Sequence, residues 1–171
     1  MQGYVQVYTG DGKGKTTAAI GLAVRAAGAG LKVFIGQFVK SGRTGEIKAL
    51  ERFADQIRVE QFGTGRFIRG RPTSADIEAA ARGLQRVGEI LQTGEYDVVI
   101  LEEANVAADL GLFPGKKLLD LIASRPAHVE VVVTGRNAGP EIIAAADLVT
   151  EMKAVKHYFQ QGVAAREGIE K

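Results

Sequence analysis

The sequence predicts an α/β protein with a mainly parallel six-stranded sheet flanked by helices. Short apolar runs rich in Val and Ile alternate along the chain with longer amphipathic segments, which is the pattern of a parallel sheet covered by helices. The 171 residues are 46% hydrophobic and 25% charged, as in an ordinary globular protein with a buried core. We therefore expect a single domain over residues 1–171.

The predicted strands are the short apolar runs that are rich in β-branched residues. In chain order they are Tyr4–Tyr8, Leu31–Val39, Ile57–Phe62, Val98–Leu101, Val129–Thr134 and a short Leu148–Thr150. Polar or glycine-rich residues follow the first five of these runs directly. Because ligands of open parallel sheets bind at the carboxyl ends of the strands, these residues are the first candidates for a site.

The predicted helices are the longer segments between the strands. In chain order they are Lys15–Ala29, Glu46–Phe53, Ser74–Gln92, Lys116–Ser124 and Pro140–Ala146. The third is the clearest, because Thr73 can cap it and Asp76 stands three residues later, as in a capping box. Apolar residues recur at helical spacing from Ile77 to Leu91. Pro126 favours an end of the fourth helix before the fifth strand.

Composition limits the cellular setting. The chain has no Cys, which excludes disulfides and thiolate metal sites and suits a reducing compartment. The amino terminus has no basic segment followed by an apolar run, and no window approaches the roughly twenty apolar residues of a spanning helix. We therefore expect a cytoplasmic protein that does not contact membranes.

The charge balance argues against nucleic acid as the main partner. The net charge is +2, from 22 Lys and Arg against 20 Asp and Glu, and a nucleic-acid-binding domain is usually far more basic. The basic residues cluster only at Arg66, Arg69 and Arg71. This cluster is either a solvated loop or a contact for an anionic ligand or partner.

A glycine-rich segment between the first strand and the first helix is a phosphate-binding loop. Its residues are Gly10, Asp11, Gly12, Lys13, Gly14, Lys15, Thr16 and Thr17. The backbone N–H groups of such a loop surround an anion, Lys15 adds a cation, and the Thr16 hydroxyl is a ligand for Mg²⁺. The pattern G-x-x-x-x-G-K-[ST] requires glycine where Thr9 stands, so the loop is one residue shorter than usual. The default ligand is a nucleoside triphosphate.

Two carboxylates end the fourth predicted strand. Glu102 and Glu103 follow the apolar run Val98–Leu101, where phosphate-loop proteins place an acid beside the Mg²⁺ that the loop threonine holds. Glu102 stands where Asp is usual, so the metal ligand is either Glu102 or Glu103. The alternative is that both are surface glutamates.

Other strand ends supply candidate phosphate ligands. Arg136 and Asn137 follow the fifth strand, and a guanidinium pairs well with phosphate oxygens. Lys40 follows the second strand, before a glycine-containing loop. Each cation is either a ligand of the triphosphate or an ordinary surface charge.

With these motifs in place, the chain resembles the ATP:cob(I)alamin, or corrinoid, adenosyltransferases of the phosphate-loop class. Beyond the loop, the resemblance rests on Gln37–Lys40, Gly63–Gly65, Leu101–Ala107, Thr134–Ala138, Ala146–Met152 and the tail from Lys156 to Glu170. It implies a RecA-like P-loop NTPase fold. It also implies transfer of the 5′-deoxyadenosyl group of ATP to Co(I) of a reduced corrinoid, with release of triphosphate. In this family ATP is held reversed, so the loop would bind triphosphate as a leaving group. A homodimer and a flavoprotein reductase as electron donor are further implications.

Departures from the family pattern limit what can be transferred to this chain. The aromatic pair that commonly follows Gly63–Gly65 is replaced by Arg66, Phe67 and Ile68. In the family those aromatics displace the lower axial ligand of cobalt, so Phe67 either takes that catalytic role from a shifted position or is ordinary core. The chain also begins near the first strand, and we expect no amino-terminal capping segment over the site.

Two other functions use the same loop. One is a generic ATP hydrolase or kinase, in which Glu103 could orient water. The other is an ATP-dependent binder without turnover, either of corrinoid or of nucleic acid.

Overall fold

The computed structural model describes residues 1–170. The strands are β1 (Val5–Thr9), β2 (Val33–Phe38), β3 (Ile57–Phe62), β4 (Val98–Glu102), β5 (Glu130–Thr134) and β6 (Leu148–Glu151). The helices are α1 (Lys15–Gly28), α2 (Gly45–Leu50), α3 (Ser74–Thr93), α4 (Ala104–Asp109), α5 (Gly115–Ala123) and α6 (Pro140–Ala145). Single 3₁₀ turns occupy Glu51–Phe53 and Tyr158–Gln161.

The six strands form one sheet in the order β3-β2-β4-β5-β1-β6. Every pair of neighbouring strands is parallel. Strand β5 separates β1, which leads into the glycine-rich loop, from β4, which ends in the two glutamates. This is the RecA-like P-loop arrangement, and the predicted fold class is confirmed.

The predicted elements are recovered with small changes at their ends. Strand β2 begins at Val33 rather than Leu31. The reason is that the Leu31 backbone N donates to Ala26 O at 3.0 Å, so Leu31 still closes the end of α1. Helix α4, which the sequence did not predict, follows Glu103 directly. The predicted Glu46–Phe53 helix is divided between α2 and a 3₁₀ turn.

Two apolar clusters cover the two faces of the sheet. On one face, Ala19 and Ala23 of α1 belong to a cluster with Ile35, Ile100 and Val132. On the other, residues of α3, α4, α5 and α6 cluster with Phe34, Val99, Leu101 and Val131. The alternation along β2, β4 and β5 follows from side chains pointing to opposite faces at successive positions. All six residues of β2 are buried, as expected for an interior parallel strand.

The backbone turns sharply after the strands at their carboxyl ends. Among residues 1–170, the non-glycine residues with positive φ are Val39 (53°), Glu103 (58°) and Asn137 (56°). They follow β2, β4 and β5, respectively. A positive φ is costly for a β-branched residue such as Val39. Such strain is typical of functional sites, and here it lies at the edge where the sequence motifs converge.

No helix within residues 1–170 is both long and apolar enough to cross a membrane.

Candidate functional site

The phosphate loop lies between β1 and α1 and is closely packed against the residue that follows β6. Gly12 N donates to Met152 O at 2.7 Å, and Met152 N donates to Thr9 O at 2.8 Å. A Cβ on Gly10 would lie 2.5 Å from Met152 O, and one on Gly12 would lie 2.7 Å from the same atom. Glycine is therefore required at both positions by the close approach of two backbones.

Helix α1 begins at the end of this loop. Gly14 is its N-cap, with a left-handed φ of 118° and no side-chain cap. The first amides of a helix have no intrahelical acceptor and carry the positive end of the helix dipole. The loop therefore presents free N–H donors from Lys15, Thr16 and Thr17, the arrangement that binds phosphate.

Lys15 folds back into the loop. Its Nζ donates to Gly10 O and to Gly12 O, both at 2.7 Å, and the residue is only 8% exposed. Burial, and then repulsion from Arg136, lowers the pKa of Lys15. An ammonium has three N–H donors, so one is left for a phosphate oxygen, whose negative charge makes it a stronger acceptor than a carbonyl.

Glu102 is the centre of a polar cluster beside the loop. Its side chain is buried, and Oε1 accepts a hydrogen bond from Thr16 Oγ1 at 2.5 Å and from Lys40 Nζ at 2.6 Å. Gln37 Nε2 donates to the second carboxylate oxygen. Burial alone would lower the pKa of Lys40, but attraction to Glu102 and further carboxylates outweighs it, and the pKa is raised.

A second glutamine, which sequence reasoning missed, extends this cluster. Gln61 Nε2 donates to Gln37 Oε1 at 2.8 Å and to Gly42 O at 3.0 Å, and Gly42 N donates to Gln61 Oε1 at 3.0 Å. Gln61, Gln37 and Glu102 are register partners across β3, β2 and β4. The available signal was a polar residue near the end of each strand. The three residues form a row across the sheet, and recognising this row required knowledge of which strands are neighbours.

Glu103 occupies a different environment from Glu102. It is the N-cap of α4, and its backbone N donates to Thr134 Oγ1 at 3.1 Å. Burial raises the pKa of Glu103, and the neighbouring charge of Glu102 adds to this effect, while nearby cations oppose it. Of the two acids, Glu102 is the one that contacts Thr16.

The residues after β5, the strand next to β1, lie near the phosphate loop. Arg136 Nη2 lies 3.5 Å from Asp11 O, on the rim of the phosphate loop. Asn137 turns toward α4, where its Nδ2 donates to Asp109 Oδ2 at 2.8 Å. The structure therefore brings Arg136 to the phosphate loop and gives Asn137 a partner outside it.

Phe67 lies on an exposed loop that follows β3. It is 84% exposed, and the Arg69 guanidinium lies 5.8 Å from its ring centre. The loop is held to α3 because Arg66 Nη2 and Thr64 Oγ1 both donate to the buried Asp76, each at 2.7 Å. Phe67 is therefore not a core residue, and this rules out one of the two alternatives that the sequence left open.

This site belongs to a chain that matches a known protein family along its length. Residues 1–170 match the family described as ATP:corrinoid adenosyltransferase BtuR/CobO/CobP. The chain belongs to this family. Similar members are the corrinoid adenosyltransferase of Pseudomonas aeruginosa, 38% identical, and corrinoid adenosyltransferase CobA of Salmonella typhimurium, 35% identical. Each alignment covers 99% of this chain, and 84% and 86% of the respective relative.

A further family member is similar to this chain over the same length. The corrinoid adenosyltransferase of Escherichia coli is 35% identical over 99% of this chain and 86% of its own length. ATP:corrinoid adenosyltransferases are transferases, so the predicted enzyme class and family are confirmed. The residue roles assigned from the sequence stay predictions.

Proposed function

We propose that this protein transfers the 5′-deoxyadenosyl group of ATP to the reduced cobalt of a corrinoid and releases triphosphate. The observation that carries the proposal is the match of residues 1–170 to the adenosyltransferase family. The geometry supports it, because a glycine-rich loop, a helix N-terminus and a buried lysine converge where a triphosphate would bind.

The chemistry is an in-line displacement at carbon. The Co(I) of the corrinoid substrate attacks C5′ of ATP, a cobalt–carbon bond forms, the C5′–O bond breaks, and the electron pair leaves on the triphosphate. The protein must align the two substrates and stabilise the charge that develops on the leaving group. We assign the second task to Lys15 and to the amides of the loop from Gly10 to Thr17, other than the Gly12 amide, which donates to Met152 O. Lys40 and Arg136 are proposed as further triphosphate ligands, with Asn137 in a supporting position.

The residues around Glu102 fit a magnesium ion. Thr16 Oγ1 and Glu102 Oε1 are oxygen atoms of the kind that ligate Mg²⁺, and they lie 2.5 Å apart. The Lys40 ammonium, itself a cation, lies 2.6 Å from the same carboxylate oxygen. Within residues 1–170, no three His, Asp or Glu side chains group as a metal site. Mg²⁺ needs no such group when one or two carboxylates and substrate phosphates bind it. We propose Thr16 and Glu102 as ligands, with Glu103 as the alternative acid.

When bound, Mg²⁺ would neutralise charge on the triphosphate oxygens. Phe67 is proposed to contact the corrin from its exposed loop. We further propose a homodimer, a flavoprotein electron donor and a cytoplasmic location, all of which rest on the family resemblance and on composition.

The identity of the phosphate product tests the proposed function. The protein is incubated anaerobically with ATP, Mg²⁺, cobalamin and a strong chemical reductant, and both products are analysed. We expect inorganic triphosphate and a light-sensitive adenosylated corrinoid in equal amounts, and neither product from Lys15→Ala. ADP with orthophosphate, and no cobalt–carbon product, would establish the hydrolase alternative instead.

A further inference from the structure

The carboxyl-terminal tail, defined here as residues 152–170, contacts the phosphate loop at both of its ends. At its start, Met152 exchanges backbone hydrogen bonds with Thr9 and Gly12. At its end, Lys13 of the loop forms a salt bridge with Glu170, with Nζ 2.8 Å from Oε1. The tail therefore leaves the loop, turns through a 3₁₀ segment at Tyr158–Gln161, and returns to the same loop.

The tail uses all the hydrogen-bonding capacity of the Lys13 ammonium. An ammonium has three N–H donors. Lys13 Nζ donates to Tyr158 Oη at 3.0 Å, to Ile169 O at 3.0 Å and to Glu170 Oε1 at 2.8 Å. A phosphate oxygen could bind Lys13 only by breaking at least one of these contacts.

Glu170 and Tyr158 are in turn held by the rest of the tail. Arg166 Nη2 donates to Glu170 Oε1 at 3.0 Å, and the Tyr158 hydroxyl donates to the same carboxylate. The Arg166 guanidinium also lies 5.1 Å from the centre of the Tyr158 ring. Hydrogen bonds from Arg166, and then from Lys13 and Tyr158, hold the pKa of Glu170 well below its usual range. The four side chains form one connected cluster with matched donors and acceptors.

Lys15 differs from Lys13 in its hydrogen-bond acceptors and in its burial. Its two acceptors are carbonyls of the loop itself, and one N–H is left to bind a ligand. Lys15 is buried at the helix N-terminus, whereas the Lys13 side chain is 41% exposed. Two lysines of one loop thus have separate environments, one directed into the anion site and the other directed at the tail.

We propose that Lys13 is a positioning residue that anchors the tail to the phosphate loop through Glu170, Tyr158 and Arg166. This inference rests on the proposed function only in taking ATP as the ligand of the loop. By holding the end of the tail, Lys13 fixes the position of the loop segment between Gly12 and Gly14, which leads into the helix N-terminus where the triphosphate would bind.

A double-mutant cycle tests the anchor. ATP dissociation constants are measured in the presence of Mg²⁺ for Lys13→Met, Glu170→Gln, the double variant, and Lys153→Met. Lys153 lies in the same tail and is 72% exposed, so its substitution is a control for the loss of one positive charge. The rate of chymotrypsin cleavage after Tyr158, measured by mass spectrometry on separate aliquots of each variant, reports whether the tail has been released.

We expect Lys13→Met and Glu170→Gln to weaken ATP binding by similar small factors and to speed tail cleavage equally, with no further change in the double variant. Lys13→Arg should restore both properties, and Lys153→Met should match the unmodified protein. The anchor role is overturned if Lys13→Met weakens ATP binding by about tenfold or more while Glu170→Gln does not, the result for a charge-assisted phosphate contact. It is also overturned if tail cleavage is unchanged in both variants.

These measurements involve no corrinoid. If the adenosyl transfer reaction fails, the ATP dissociation constants and tail-cleavage rates can still be compared between variants. If those comparisons contradict the anchor role of Lys13, the adenosyl transfer proposal is unaffected.

Discussion

Two glycines of α3 should respond in opposite ways to the same substitution. A Cβ on Gly83 would lie 2.7 Å from Phe62 Cγ and 2.9 Å from Phe38 Cε1, which is closer than real Cβ atoms approach. A Cβ on Gly88 would have its nearest contact at 3.6 Å, with Leu121 Cδ1, an ordinary van der Waals distance. Both positions lie inside one helix, so the intrinsic helix preference for Ala over Gly is the same at each.

The magnitudes follow from two opposing terms. Replacing Gly by Ala within a helix stabilises it by about 0.8–1.0 kcal/mol. Overpacking a core typically costs about 1–3 kcal/mol. Gly88→Ala should therefore stabilise the protein by about 1 kcal/mol, because only the first term applies. Gly83→Ala should be neutral or destabilising by up to about 2 kcal/mol, because both terms apply.

Urea or thermal unfolding of the two variants and the unmodified protein measures these differences. At this chain length, 1 kcal/mol corresponds to about 2–4 °C in Tm. The reasoning is refuted if Gly83→Ala raises Tm as much as Gly88→Ala does. Because Phe38 and Phe62 end the strands that lead to Lys40 and Gly63, Gly83→Ala should also weaken ATP binding, and Gly88→Ala should not.

Three further substitutions test other parts of the structure. Phe67→Ala should slow reactions begun from Co(II) corrinoid more than those begun from Co(I), measured as initial rates, because the exposed ring is proposed to ease reduction of cobalt. Gln61→Leu should lower the free energy of unfolding by about 1–3 kcal/mol in urea titrations, since it leaves the buried Gln37 carbonyl oxygen unpaired. Asp76→Asn should destabilise the protein at neutral pH, because hydrogen bonds from Arg66 and other donors hold the pKa of Asp76 well below its usual range. A lowered native pKa contributes stability above the unfolded value of about 4 and loses it as the pH falls further, so the Asn variant should approach the unmodified protein in acid unfolding scans.

Each of these predictions has a contradicting result. Equal loss from both cobalt oxidation states would remove the role given to Phe67. An unchanged urea midpoint for Gln61→Leu would mean that the glutamine row does not stabilise the site. A destabilisation by Asp76→Asn that stays constant down to low pH would show that the carboxylate charge is not what holds the loop to α3.

The sequence predicted the parts of the fold that depend on local chemistry. The strands, the phosphate loop and the glutamates after β4 could be located because hydrophobic periodicity and glycine spacing are read within about ten residues. Helix α4 was missed because it is only six residues long and starts from a left-handed glutamate without a side-chain cap.

The contacts that the sequence did not predict join distant positions. Lys13 and Glu170 are 157 positions apart, and Gln37 and Glu102 are 65 positions apart. The first pair depends on the path of the tail after β6. The second depends on β2 lying next to β4, an order that hydrophobic pattern alone does not specify.

The backbone hydrogen bond between Gly12 and Met152 gives the loop an internal reference for amide hydrogen exchange. The Gly12 amide already has an acceptor at 2.7 Å, so its exchange should be slow with or without nucleotide. The amides of Lys15, Thr16 and Thr17 begin α1 and lack intrahelical acceptors, so their exchange slows only when an anion binds. Occupancy of the phosphate site could thus be followed over time within a single peptide, against a neighbouring amide that does not respond to the ligand.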